Sequence, residues 1–168
     1  MLADRRYCYP LTITDFASRY LIACEALHTT KELYAFAVFE SVFKEFCLPR
    51  AIRTDNGVPF ASPNSLFNLS KLSVWWLRLG IEIERIKPGH PQQNGRHERM
   101  HLTLKLEATK PAAQNFLQQQ ARFDDFIACY NNDLENFWDY IDRGEYPLKP
   151  SIEAFRLGID FVIYAMTH

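Results

Sequence analysis

The sequence predicts a mixed α/β domain from three patterns. Two β-branched, apolar runs, Tyr9–Thr14 and Arg19–Ala26, stand only four residues apart. An aromatic stripe at helical spacing follows them. Short strand-like runs then alternate with helical ones as far as residue 131. Strands first paired locally and then separated by helices make a sheet with helices packed on it. A length of 168 residues suits one such domain with a substantial core.

Asp15-Phe16-Ala17-Ser18 breaks the first run from the second, and so short a gap predicts an antiparallel hairpin. Thr29 or Thr30 can cap the helix predicted over 31–46, where Leu33, Phe36, Ala37, Phe39, Val42, Phe43 and Phe46 form the apolar stripe. Pro49 ends that helix. Ala51-Ile52-Arg53-Thr54 is a short strand closed by the turn-forming Asp55-Asn56-Gly57. Ser70 or Ser73 can start a helix through Leu72, Trp75, Trp76 and Leu79, stopped by Gly80. Residues 81–86 alternate apolar and charged side chains, as a strand with one covered face does. A Pro/Gly-rich loop then leads into a helix running to about Ala108, and Pro111 separates it from another over about 115–131 with Phe116, Phe123, Phe126 and Ile127 on its apolar side. The domain is expected to occupy 1–131. Residues 132–168, punctuated by Gly144, Pro147, Pro150 and Gly158, read as an irregular acidic tail with short helical pieces.

No apolar run approaches the twenty or so residues that span a bilayer, and the opening residues are too polar for a signal peptide, so a cytoplasmic setting is expected. Cys8, Cys24, Cys47 and Cys129 show no metal-ligand spacing and read as free buried thiols. The net charge of −1 conceals a segregation. From 85 to 105, Arg85, Lys87, Arg96, Arg99 and Lys105 face a single acid, Glu98, whereas residues 124–160 are dominated by Asp and Glu. Such a chain can present one basic face to phosphates while remaining neutral overall.

Two carboxylates stand out. Asp55 directly follows a strand, at the sheet edge where open α/β proteins bind ligands. Glu98 lies near the start of the helix after the next strand. Two hard oxygen donors converging on a sheet edge make a divalent-cation site. A competing pattern uses the same helix: His97-Glu98-Arg99-Met100-His101 fits H-E-x-x-H, in which two His bind zinc and the Glu activates water. The plainer reading of these histidines is that they are solvated or phosphate-facing.

Three stretches in order, Pro10-Leu11-Thr12-Ile13-Thr14-Asp15-Phe16-Ala17-Ser18-Arg19-Tyr20, Arg53-Thr54-Asp55-Asn56-Gly57-Val58-Pro59-Phe60, and Lys87-Pro88-Gly89-His90-Pro91-Gln92-Gln93-Asn94-Gly95-Arg96-His97-Glu98-Arg99, resemble the integrase catalytic core. The nearest likeness is to insertion-sequence transposases with an Asp-Asp-Glu triad. The resemblance implies a ribonuclease-H-like fold, two Mg²⁺ or Mn²⁺ ions, strand cleavage and transfer on DNA, and a homo-oligomer. It makes Asp55 the second acid and Glu98 the third, both catalytic and metal-binding. It makes Lys105 a DNA contact, beside Asn94, Arg96 and Arg99 as further DNA-binding candidates. It places the first acid on a central strand upstream of Tyr9 rather than at Asp15. The expected protein is therefore a transposase or integrase core lacking its first strand and impaired in catalysis. The alternatives are a non-catalytic DNA-binding remnant of a mobile element and a zinc hydrolase built on His97-Glu98-x-x-His101.

Overall fold

A computed structural model describes residues 1–54, 57, 59–62, 65–85, 95–142 and 160–165, with the backbone alone for 66, 95–96, 134–142 and 160–165. Strands β1 (Tyr9–Asp15) and β2 (Leu21–Leu27) form the expected hairpin, with Tyr9 opposite Leu27 and Ile13 opposite Ala23. Helix α1 (Glu32–Phe46), strand β3 (Ala51–Thr54), helix α2 (Lys71–Arg78) and strand β4 (Glu82–Arg85) follow. Helices α3 (Gly95–Glu107) and α4 (Phe116–Asp142) and strand β5 (Asp160–Ala165) complete the described elements. The sheet has the order β2-β1-β5-β3-β4. β1 is antiparallel to both its neighbours, whereas β3 is parallel to β4 and β5. This is the mixed α/β architecture the sequence predicts.

The two faces of the sheet hold separate cores. Leu11, Ile13, Ala23 and Ile52 meet Ala35, Phe39, Val42 and Phe43 of α1 and Leu72 and Trp76 of α2. Opposite them, Leu21 and Cys24 meet Met100 and Leu104 of α3, Ala108, and Phe123 and Phe126 of α4. Strand alternation alone would put Leu21 on the same face as Ala23. A bulge between Ile13 and Thr14 pairs Thr14 with Leu21 and leaves Ile22 unmatched, so Leu21 turns to the α3/α4 side.

Helix α4 also closes the outer edge of the sheet. The Asn131 amide accepts from Leu21 N at 2.9 Å and donates to Leu21 O at 3.0 Å. Gln120 accepts from Ala26 N at 2.8 Å and donates to Cys24 O at 3.0 Å. Two side-chain amides thus satisfy backbone groups that an edge strand would otherwise offer to another chain.

Four expectations need correction. Neither Thr29 nor Thr30 caps α1: Lys31 is the N-cap residue and makes no side-chain capping bond. Leu33 and Ala37 are exposed and Ala35 takes the inner position, because the buried phase runs through 35, 39, 42 and 43. Cys47 and Cys129 are exposed; only Cys24 is a fully buried thiol, and Cys8 is half-buried with its pKa pushed up to about 11 by desolvation. Residues 132–168 are not irregular throughout. α4 continues to Asp142 and Asp160–Ala165 is a strand inside the sheet, where β1 and β3 each supply a ladder partner that local sequence does not reveal. By contrast, Ser70 caps α2 as expected, its hydroxyl accepting from Ser73 N at 3.0 Å, and Gly80 leaves the helix at φ +81°.

Replacing Asn131 by Ala strands a buried donor and acceptor on β2 and should cost about 2–4 kcal/mol, whereas Asn132→Ala on the exposed side should cost almost nothing. Urea unfolding of the two variants beside the parent measures the difference.

Candidate functional site

Helix α3 carries the chemistry that the sequence singles out, and a buried polar contact fixes its position. Glycine and charged residues at its start and a polar outer face give it weak amphipathicity, yet Met100 and Leu104 are buried. On the same inner side lie His97 and His101, 4% and 5% exposed. Their spacing of four residues stacks them one above the other on the helix. The imidazoles face β1: Thr14 Oγ1 lies 3.1 Å from His97 Nδ1, and Thr12 Oγ1 lies 2.9 Å from His101 Nε2 and 3.3 Å from His97 Nε2. The two Nε2 atoms are 2.9 Å apart. At that separation one ring donates and the other accepts, which a pair of fully protonated rings could not do. Burial, and for His97 also the neighbouring His101, pushes the His97 pKa well below its usual value; burial alone brings His101 to about 4. Both are neutral near pH 7.

The expectation of solvated or phosphate-facing histidines is therefore wrong. The zinc-hydrolase arrangement also fails on geometry. His97 and His101 point into the sheet, while Glu98 is exposed and cannot serve water bound to that buried pair. Among the described residues there is no group of three or more His, Cys, Asp or Glu side chains able to hold a metal.

The histidine contact sets the level of Glu98. Strand register puts Ile13 opposite Ile163 of β5, and Ile163 opposite Thr54, the last residue of β3. Thr12 and Thr14 flank Ile13, so the helical turn that begins at His97 docks at the level where β3 ends. Glu98 has no ion pair among the described residues. Arg99 and Lys105 are exposed with it, Lys105 two turns farther along. Asp55 and Asn94 lie outside the described residues, as does the side chain of Arg96.

Asp15 belongs elsewhere. It pairs with Phe161, which is level with Ile52, so it sits at the hairpin end of β1, away from the end toward which β3 runs. Its Oδ2 accepts from Ser18 N at 2.8 Å and from the Ser18 hydroxyl, closing the turn. Its Oδ1 is buried with no partner among the described residues.

Sequence reasoning missed a second polar group. Arg53 donates to Glu84 Oε2 from Nε at 3.0 Å and Nη2 at 2.7 Å, and its guanidinium lies 4.3 Å from the Phe16 ring centroid. Arg53 and Glu84 are register partners, and Arg53 is level with Thr14 through Val162, so the pair shares the face that α3 covers. The residue immediately before Thr54 is thereby clamped. The cross-strand pairing of Arg53 with Glu84 follows from parallel register, which the sequence alone did not supply.

Residues 79–133 match the integrase core domain family. That stretch takes in β4, α3 and the first part of α4, with Glu98, Arg99 and Lys105. Over these residues the chain is similar to the integrase catalytic core. Among its relatives, the Pol polyprotein of Radiation murine leukemia virus (strain Kaplan) is 33% identical over 104 residues, 62% of this chain and 17% of the relative. The Gag-Pol polyprotein of Baboon endogenous virus (strain M7) is 31% identical over 116 residues, 69% of this chain and 6% of the relative. The Pol polyprotein of Feline endogenous virus ECE1 is 30% identical over 116 residues, 69% of this chain and 10% of the relative. The chain thus spans less than a fifth of these polyproteins. The mixed sheet with helices on both faces agrees with an integrase core, and no helix among the described residues is long and apolar enough to cross a membrane.

The buried histidines make stability depend on acid. A His whose folded pKa lies below its unfolded value takes up its proton preferentially in the unfolded chain. Its penalty is absent above pH 6.5 and grows as pH falls from there toward about 4 for His101. Replacing His101 by Gln should therefore flatten the pH dependence of the urea midpoint across that window, removing on the order of 2 kcal/mol of its fall. Comparing parent and variant at each pH cancels groups that do not touch His101, including the half-buried Glu25, whose raised pKa acts in the opposite direction; His97, which touches it, contributes to the difference.

Proposed function

We propose that the chain acts on DNA as an integrase- or transposase-like core, with Asp55 and Glu98 as the carboxylates of a divalent-metal site and Arg99 and Lys105 as phosphate contacts. The observation that supports this reading is the level of α3: its buried histidines dock the turn bearing exposed Glu98 on β1, level with the end of β3 that precedes Asp55 in sequence. Hard carboxylate oxygens suit Mg²⁺ or Mn²⁺, which need only one or two protein carboxylates besides water and phosphate. When bound there, a cation pair supplies Lewis-acid activation of the attacking hydroxyl and stabilisation of the leaving oxygen. The chain's own residues orient the DNA. Arg99 and Lys105, with Arg96 and Asn94 as further candidates, lie along one helix or just before it and hold the backbone without reading its sequence.

The reading includes impaired catalysis. Among the described residues no third acid lies level with the end of β3. β1 offers Leu11, Thr12 and Ile13 there, and β5 offers Ile163, Tyr164 and Ala165. Asp160 is level with Ala51, three residues back, roughly 10 Å along the strand. The same observation favours the second reading, a DNA-binding remnant that uses the basic residues without turnover. We further propose that residues 1–131 form the core unit with 160–165 adding one strand, that the protein works in the cytoplasm, and that it assembles as a homo-oligomer as integrases do.

Calorimetry with Mn²⁺ separates these readings. The metal-site reading expects binding that Asp55→Asn or Glu98→Gln each reduces at least tenfold; no loss in either variant refutes it. For DNA, Arg99→Gln and Lys105→Gln should each weaken binding to unrelated sequences alike and lower the salt slope by about 1. A Mg²⁺-dependent cleavage assay on a DNA end should give little turnover, and robust Glu98-dependent turnover would sink the claim of impairment.

A further inference from the structure

Phe67 stands in a backbone conformation that its side chain makes costly. It lies in the short 3-10 turn Leu66–Asn68 at φ 56° and ψ 21°, and Asn68 beside it has φ 54°. Asn enters the left-handed region readily, whereas a bulky aromatic residue there is strained. Packing does not offset the strain, because Phe67 is 79% exposed. Hydrogen bonds made by its neighbours hold the turn instead. Asn68 N donates to Ser65 O at 3.0 Å, and Asn68 O accepts from Ser62 N at 3.2 Å and from Arg85 Nη2 at 2.8 Å. The Ser65 hydroxyl donates to Leu69 O at 2.6 Å, and Leu69 forms a β-bridge with Ala61. The same network reaches the candidate site. Phe60 N and Ala61 N both donate to Gly57 O at 2.9 Å, two residues after Asp55 in sequence. Arg85 is the register partner of Thr54, the residue before Asp55. A strained aromatic ring facing water is thus tied both to the turn after Asp55 and to the strand beside Thr54. Its surroundings suit a polyanion. Residues 57–70 contain no Asp or Glu, exposed Lys71 follows them, and Arg85 has no ion pair among the described residues.

We propose that Phe67 stacks on an unpaired nucleobase of DNA bound at that site. This rests on the DNA-acting reading given above. Backbone strain at an exposed position persists only where the surrounding bonds impose it, and it marks positions kept for a task other than folding. A flat apolar ring can cover the free face of a base whatever its identity, while cations beside it hold the adjoining phosphates. One ligand then satisfies both features: the base meets Phe67, and its own phosphates meet Arg85 and Lys71. An apolar peptide would cover the ring and leave the cations unmatched. The interior of a duplex has no free base face, so the strand that Phe67 recognises is unpaired. Because the turn is fixed by hydrogen bonds before DNA arrives, the ordering cost of presenting the ring falls on folding rather than on binding.

Fluorescence anisotropy with two DNA probes tests this, in the absence of divalent metal so that no strand is cut. Both probes share one short duplex; the single-stranded overhang carries thymines in the first and abasic sites in the second. Their phosphates are the same, so the difference in affinity reads the bases alone. The parent should bind the thymine probe about tenfold more tightly than the abasic one. Phe67→Asn should abolish that preference and leave affinity for the abasic probe unchanged, whereas Phe67→Tyr, which keeps the ring, should keep it. Asn suits the left-handed backbone, so Phe67→Asn should not lower the urea midpoint. A lowered midpoint would make the ring a packing element and overturn the proposal. A parent that binds both probes alike, or a Phe67→Asn chain that retains the preference, also overturns it while leaving the DNA-acting reading in place. A parent that binds neither probe overturns both.

Discussion

Everything proposed for this chain depends on how α3 is held against β1. The helix lacks the strong apolar stripe of α1, and its outer face carries Glu98, Arg99, Lys105 and Glu107. Its inner face is half hydrophobic, through Met100 and Leu104, and half polar, through His97 and His101. Apolar contacts alone would tolerate a helix sliding by part of a turn. Imidazoles bonded to Thr12 and Thr14 at about 3 Å do not, because a displaced ring would leave buried polar atoms unpaired. The polar contact therefore specifies position where packing supplies stability. It also accounts for the H-E-x-x-H spacing without a zinc site: His97 and His101, four residues apart, face one strand, and Glu98 between them faces water.

The opposite half of the site is fixed through the sheet. Parallel register clamps Arg53 to Glu84 and stacks it near Phe16, so the final turn of chain before Asp55 leaves a braced strand. The two braces act on one face of the sheet, α3 over β1 and the Arg53–Glu84 pair over β3 and β4. Between them runs β5, which makes the two local halves one sheet. A central strand donated from the far end of the chain is slow to form, because its loop must close before any ladder forms. It also makes the distance between the halves, and hence the geometry of the site, depend on the last residues described.

Much of this was legible in the sequence because the deciding interactions are local. The β1–β2 hairpin, β3, the Ser70 cap and the Gly80 stop each depend on a few adjacent residues, and each lies close to its expected place. The integrase motifs likewise predicted a helix after the Pro/Gly-rich loop, and Gly95–Glu107 is one. What escaped the sequence is non-local. The phase of α1 is chosen by Trp76, itself stacked on Phe60, packing on Phe39 rather than by Leu33. His97 and His101 look solvated beside Arg96, Arg99 and Lys105 until β1 is seen to supply two threonines. Asp160–Ala165 looks like a stray apolar run until β1 and β3 stand on either side of it.

The central claim is that Glu98 and the end of β3 serve one cation site. Paramagnetic broadening by substoichiometric Mn²⁺ in an amide-resolved NMR spectrum addresses it directly. The account predicts that the amide signals of Thr54 and Glu98 broaden together, and that Glu98→Gln abolishes both effects. Broadening confined to one of the two, or unchanged by Glu98→Gln, would contradict it.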